Sequence, residues 1–194
     1  MSKTALTYRD YQALPDDGQR YEIHDGALSV TPAPSLDHQI VSSRLYLHLA
    51  KWLEGHPGGL LLYAPLDVIL SDRLEETSIV QPDLLYIAPD RMPRASQRGI
   101  EGGPTLAVEI LSPSTRQIDR VTRTRLYARH DVPFLWLADP DARVLEAFEL
   151  HGGRYALAHA VTGSTAVDLS PFPGLGLVPD RLWPDQSIAG PISR

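Results

Sequence analysis

The stretch Leu106–Ser114 reads LAVEILSPS. Five apolar residues enclose a single acid, and Ser112-Pro113-Ser114 then stops the run. A short apolar run bounded by turn residues is the pattern of a buried strand. Glu109 interrupts it. A buried, unpaired carboxylate costs on the order of several kcal/mol, so Glu109 needs a compensating partner or a proton. A metal ion, an arginine, and a place at the open end of the strand are the alternatives.

Upstream, Gln81-Pro82-Asp83 leads into Leu84–Ala88, a second short apolar strand with a carboxylate at its start. Pro-Asp alone reads more readily as a turn. Two carboxylates from adjacent strands are what a hard cation such as Mg²⁺ uses, together with its own waters and substrate phosphate oxygens. Water on such an ion is a better nucleophile, and the ion offsets charge growing at phosphorus.

Downstream, the pattern predicts a helix over Gln117–His130. At about 100° per residue, Arg116, Asp119, Arg120, Arg123 and Tyr127 fall on one side, with Ile118, Val121 and Leu126 turned toward the core. Arginine forks match phosphate oxygens two at a time, which makes Arg116 and Arg120 candidates for holding a nucleic-acid backbone. The plainer reading is a hydrated face with an internal Asp119–Arg123 pair.

Elsewhere, Tyr21–Val30 reads as a hairpin about Asp25-Gly26. Ser35 caps a helix over Leu36–Glu54. Leu60–Leu70 reads as one strand, and Asp72–Ser78 and Pro89–Pro104 as polar loops. Phe134–Ala138 is the next strand. Val144–Leu150 and Arg154–His159 form a hairpin around Gly152-Gly153. The Pro-rich tail from Ser170 onward is expected to wrap the surface. This order predicts a mixed α+β fold in one domain spanning residues 1–194. A central mixed sheet flanked by helices forms its core, over about residues 20–160. Glu22 alternates with apolar neighbours, as either a further ligand or the outward face of a strand. Asp67 is ambiguous in the same way. His38 lies in the first turn of its helix, where capping competes with a functional role.

Composition narrows the classes. The 194 residues contain no cysteine, which excludes disulfides and thiolate metal sites. The seven histidines lack zinc-site spacing, and no nucleophile-elbow, Walker or dinucleotide motif occurs. No signal core or membrane-length apolar run is visible, which makes a cytoplasmic protein the expectation. Net charge is −6, unlike a non-specific nucleic-acid binder. The charge is uneven, however. Arg91–His130 holds eight arginines against Glu101, Glu109 and Asp119. That is compatible with a local phosphate site or with a solvated arginine-rich helix.

Six pieces in order resemble one family. They are YEIHDGAL from Tyr21, PAPSLDHQ from Pro32, QPDLLYI from Gln81 and VEILSPST from Val108. The last two are D-x3-R-x3-Y from Asp119 to Tyr127, and V-P-x-x-W from Val132 to Trp136. Together they are similar to the Uma-two family of restriction-endonuclease-like proteins, over about Tyr21–Pro184. The resemblance implies a PD-(D/E)xK fold, Mg²⁺ or Mn²⁺ as cofactor, DNA as substrate, and often a homodimer. It implies that Asp83 and Glu109 hold the metal, with Glu22 as an accessory acid. The chain departs from the pattern in four places. The motif's lysine position is Leu111, and the family's helical lysine is replaced by Arg123. Arg123 keeps the positive charge but does not lose its proton, so its roles are orienting water or stabilising the pentavalent phosphate. The glycine after that helix is Asp131, and the E-Y before tryptophan is Phe134-Leu135. Two functions follow: a Mg²⁺-dependent endonuclease, or a catalytically inactive nuclease-fold module that binds nucleic acid or a protein partner.

Overall fold

The computed structural model describes residues 5–185. The last nine residues of the expected C-terminal wrap lie outside the described residues. In chain order, helix α1 (Tyr8–Gln12) precedes the hairpin β1 (Arg20–His24) and β2 (Ala27–Thr31). Helix α2 (Leu36–Glu54) is followed by β3 (Leu60–Tyr63), β4 (Val68–Ser71), β5 (Ser78–Val80) and β6 (Leu84–Ile87). The short strands β7 (Ala95–Ser96) and β8 (Gly99–Glu101) precede β9 (Leu106–Ile110). A π-helical segment, Ile118–Arg123, runs into α3 (Thr124–Arg129). Then come β10 (Phe134–Asp139), β11 (Val144–His151), β12 (Arg154–Val161), β13 (Val167–Leu169) and β14 (Phe172–Leu177).

The mixed α+β architecture agrees with the sequence reading, but the strands form two six-stranded sheets instead of one. The first has the order β2-β1-β5-β4-β8-β7, and the second β12-β11-β10-β9-β6-β3. In the second sheet β9 and β10 run parallel, joined by the helical crossover, and the other pairings are antiparallel. The expected strand over residues 60–70 breaks at residues 64–67. Pro65 offers no donor to a ladder, so β3 ends in one sheet and β4 begins in the other. Residues 95–101, assigned to a loop from sequence, and residues 78–80, of which only Ser78 was, contribute the short strands β5, β7 and β8.

Period-two alternation in the second sheet separates two cores. Leu84, Tyr86, Leu106, Val108, Ile110 and Trp136 pack beneath Val41, Leu45 and Leu49 of α2. Leu85, Ile87, Ala107, Leu111, Leu135 and Leu137 face the other way, toward Leu126 and Tyr127 of α3 and Val68 and Val80 of the first sheet. Glu109 shares the parity of Ala107 and Leu111. Alternation therefore directs it into the space between α3 and the first sheet.

The tail does not simply wrap the surface. Strands β13 and β14 form a hairpin, and Leu169, Phe172, Leu177 and Trp183 are buried against the α2 side of the second sheet. Phe172 stands within 5.0 to 5.5 Å, centroid to centroid, of Trp52, Tyr86 and Trp136. The indole nitrogens of Trp52 and Trp136 donate to the carbonyls of Pro173 and Ser170 at 2.9 and 3.0 Å. The apolar face of β10 and β9 needs cover beyond the reach of α2, and the hairpin supplies it.

Candidate functional site

Register brings the two predicted carboxylates together. Strand β6 pairs antiparallel with β9, Leu84 opposite Val108. One step further, Asp83 stands across from Glu109. Asp83 is held there by its own bonds: Oδ2 accepts from the Ile110 amide at 2.8 Å. The same oxygen meets His38 Nε2 at 3.0 Å, and Oδ1 accepts from Arg20 Nη1 at 3.1 Å. His38 is thus both in the capped first turn of α2, its amide on Ser35 Oγ, and a direct partner of Asp83.

Arg123 reaches the same point from the crossover. Its Nη1 donates to Glu109 Oε2 and Asp119 Oδ1, both at 2.7 Å. Its Nη2 and Nε donate to the two oxygens of Glu22 at 2.6 and 3.2 Å. Tyr127 donates its hydroxyl to Glu109 Oε1 at 2.5 Å. Glu22, Glu109, Asp119, Arg123 and Tyr127 are all at most 2% exposed. Glu22 does not lie on an outward strand face. It is buried, and it also accepts the Gln81 amide at 2.8 Å and contacts His24 Nε2 at 2.8 Å.

The π-helical turn decides which helical residues join. Thr124 donates its amide to Asp119 O, an i→i+5 bond that widens the turn. Asp119, Arg123 and Tyr127 consequently converge, while the α-helical phase expected from sequence fails for the rest. Arg116 turns to Asp139 and Asp141 at 3.1 and 2.9 Å, and Arg120 to Glu146 at 2.7 Å. Neither arginine lines the cleft beside Asp83. A phosphate-binding role for Arg116 and Arg120 would therefore act outside this cleft. Val121, expected in the core, is 62% exposed for the same reason. The arginine surplus of residues 91–130 is also absorbed within the protein: Arg125 and Arg129 bind Asp25, Arg98 binds Asp72, and Arg91 donates to the Gly103 carbonyl.

Burial and charge set the protonation of the cluster. Burial opposes the charge on Glu22, but Arg123, His24 and Arg20 outweigh it and hold its pKa down at about 2. For Asp83, burial is outweighed by His38 and Arg20, and the pKa is lowered. For Glu109, burial dominates. Arg123 offsets it only in part, Asp119 and Asp83 add repulsion, and the pKa rises well above the ordinary glutamate value. Asp119 shifts upward through burial, against the pull of Arg123. The carboxylates around Arg123 outweigh its own burial and raise its pKa further, so it stays charged.

Above this cluster opens a cleft of about 220 Å³, lined by Arg20, His38, Asp83, Ser112, Asp119 and Arg123 among others. The donor set is all oxygen, as a hard cation requires. Among the described residues no three His, Asp or Glu side chains surround a common metal position. Asp83 lines the cleft, and Glu109 lies fully buried beneath it. Both oxygens of Glu109 are bonded to Tyr127 and Arg123, so an ion at Glu109 competes with the guanidinium for Oε2.

At the position of the family's glycine, Asp131 adopts left-handed backbone with φ 54°. Aspartate is among the few residues that tolerate this conformation. The substitution therefore leaves the helix end intact.

The fold matches the crystal structure of a putative nuclease belonging to DUF820 from Anabaena variabilis, with a TM-score of 0.73 and 19% identity. The match covers 92% of this chain and 97% of that one. No curated protein matches the sequence. The model of the Uma2 family, described as "Putative restriction endonuclease", matches residues 8–180. The architecture is thus restriction-endonuclease-like, and the chain belongs to the Uma2 family.

Proposed function

We propose that this chain hydrolyses phosphodiester bonds in DNA, with Mg²⁺ or Mn²⁺ held by Asp83 and Glu109. The observation that carries this reading is a convergence of carboxyl groups. Glu22, Asp83, Glu109 and Asp119, all buried, gather around Arg20 and Arg123 beneath an open cleft that Asp83, Asp119 and Arg123 line, and burial with mutual repulsion holds Glu109 toward its protonated form. A divalent cation in place of that proton relieves the repulsion. When bound, it supplies an activated water and electrostatic stabilisation at phosphorus. The chain's own residues do the rest. Tyr127 fixes the rotamer of Glu109. His38 and the Ile110 amide fix Asp83. Arg123 presents permanent positive charge at the cleft floor and cannot serve as a base. Cleavage of plasmid and oligonucleotide DNA with Mg²⁺ or Mn²⁺, abolished by EDTA and by Asp83→Ala or Glu109→Ala, is the expected result. Intact DNA in both metals overturns the reading.

One observation favours a second reading. Arg123 already bonds three carboxylates at 2.6 to 3.2 Å, the arrangement of a filled site. If the guanidinium never yields Oε2, the protein is an inactive nuclease-fold module. Nucleic-acid binding in EDTA that survives Asp83→Ala, without cleavage in either metal, selects this alternative.

A further inference from the structure

The cleft above Asp83 does not end at Asp83. Arg20, Pro34, His38 and Asp83 form a wall, and on its far side lies a second chamber of about 480 Å³. Its volume is that of small-molecule pockets. Gln81, Gln39, Ser42 and Tyr63 help line it.

Three features give this chamber a chemistry. The first is Gln81, 9% exposed. Its Nε2 donates to Asp67 Oδ1 at 2.8 Å, which fixes the amide so that Oε1 is the remaining acceptor. That oxygen is buried and has no hydrogen-bond partner. The second is Tyr63, a residue 60% exposed at the chamber's rim. Tyr46 packs T-shaped with it, the centroids 5.2 Å apart and the planes at 84°. The third is Arg20 in the wall. Its Nη1 is on Asp83, but its Nε and Nη2 are buried without hydrogen-bond partners, Nη2 standing 3.6 Å from Glu22.

We propose that the second chamber is a nucleobase subsite that takes one unpaired base, with the adjoining phosphate on Nε and Nη2 of Arg20. An aromatic face accepts any base by stacking, and an orphaned buried acceptor is satisfied by an N–H on the pairing edge. Every nucleobase carries such an N–H: the amines of adenine and cytosine, N1 and N2 of guanine, N3 of thymine. In a duplex those edges are occupied by the complementary strand. The chamber therefore selects single-stranded or extrahelical nucleotides. Arg20 contacts both chambers, so a strand with its base on Tyr63 runs its backbone toward Asp83.

This rests on the nuclease reading for the identity of the ligand, and its test is separate from catalysis. Fluorescence anisotropy in EDTA compares a short labelled single-stranded oligodeoxynucleotide with the same sequence as a blunt duplex. The single strand is expected to bind more tightly. Tyr63→Ala should weaken single-strand binding by about five- to hundredfold, the worth of one stacked base, and Tyr63→Phe should restore it. Gln81→Leu should weaken it too. Because Gln81 also anchors Asp67, the surface variants at Tyr63 decide the matter should Gln81→Leu not fold. Equal affinity for duplex, or a Tyr63→Ala protein with unchanged single-strand affinity, overturns the subsite. Tyr63-dependent binding without any cleavage keeps the subsite and removes the nuclease. Cleavage of duplex DNA indifferent to Tyr63 does the reverse.

Discussion

Arg123 and Glu22 are 101 positions apart in the chain, yet the guanidinium of one grips both carboxylate oxygens of the other, at 2.6 and 3.2 Å. The bond ties the crossover helix of the second sheet to the first strand of the first sheet. With Glu109 as the third corner, one buried cation joins both sheets and the helical layer.

Removing Arg123 is therefore a stability experiment as well as a functional one. Arg123→Ala leaves Glu22, Glu109 and Asp119 buried without their cation. The expected loss is about 3–5 kcal/mol in urea unfolding. Arg123→Lys keeps the charge but not the two-point grip on Glu22, and should lose less. Equal stability of all three proteins would show that the cluster carries protons in place of charge.

Acid should weaken the same joint. The pKa of Glu22 in the folded protein is about 2, against an ordinary value of 4.5. A depressed carboxylate adds stability above its unfolded pKa and loses it as pH falls toward the folded one. The contribution, about 3 kcal/mol, should fade between pH 4.5 and about 2. Glu22→Gln should flatten the stability profile in that window, as followed by circular dichroism.

Tyr127 positions Glu109 without touching the cleft. Tyr127→Phe deletes the 2.5 Å bond and keeps the ring. On the metal-centre reading, Mn²⁺ affinity by titration calorimetry should fall about 10- to 100-fold, as for other residues that orient a ligand. Unchanged affinity would place the metal away from Glu109.

The C-terminal hairpin should behave as core. Phe172 is 1% exposed among three aromatic rings. Phe172→Ala should cost about 3–5 kcal/mol. Leu157→Ser, at a position 53% exposed, should stay within about 0.5 kcal/mol in the same assay.

Local patterns in the chain were enough to locate most elements and the acids. A roughly helical apolar period over Leu36–Glu54, a turn signal at Asp25-Gly26 and the apolar run LAVEIL each depend on neighbours a few positions away, and helix, hairpin and strand form where they indicate. Three matters were decided only in three dimensions. The turn at Ile118–Arg123 is widened by an i→i+5 bond that the sequence pattern does not announce, so Arg116 and Arg120 could not be separated from Arg123 by helical phase. The strands β4, β5 and β8 are too short to carry a period, and they form only because β1 and one another complete their ladders. The burial of Glu22 and of Phe172 depends on which surface arrives to cover them. A residue's periodicity tells which side it faces; what stands on that side is settled by chain segments a hundred positions away.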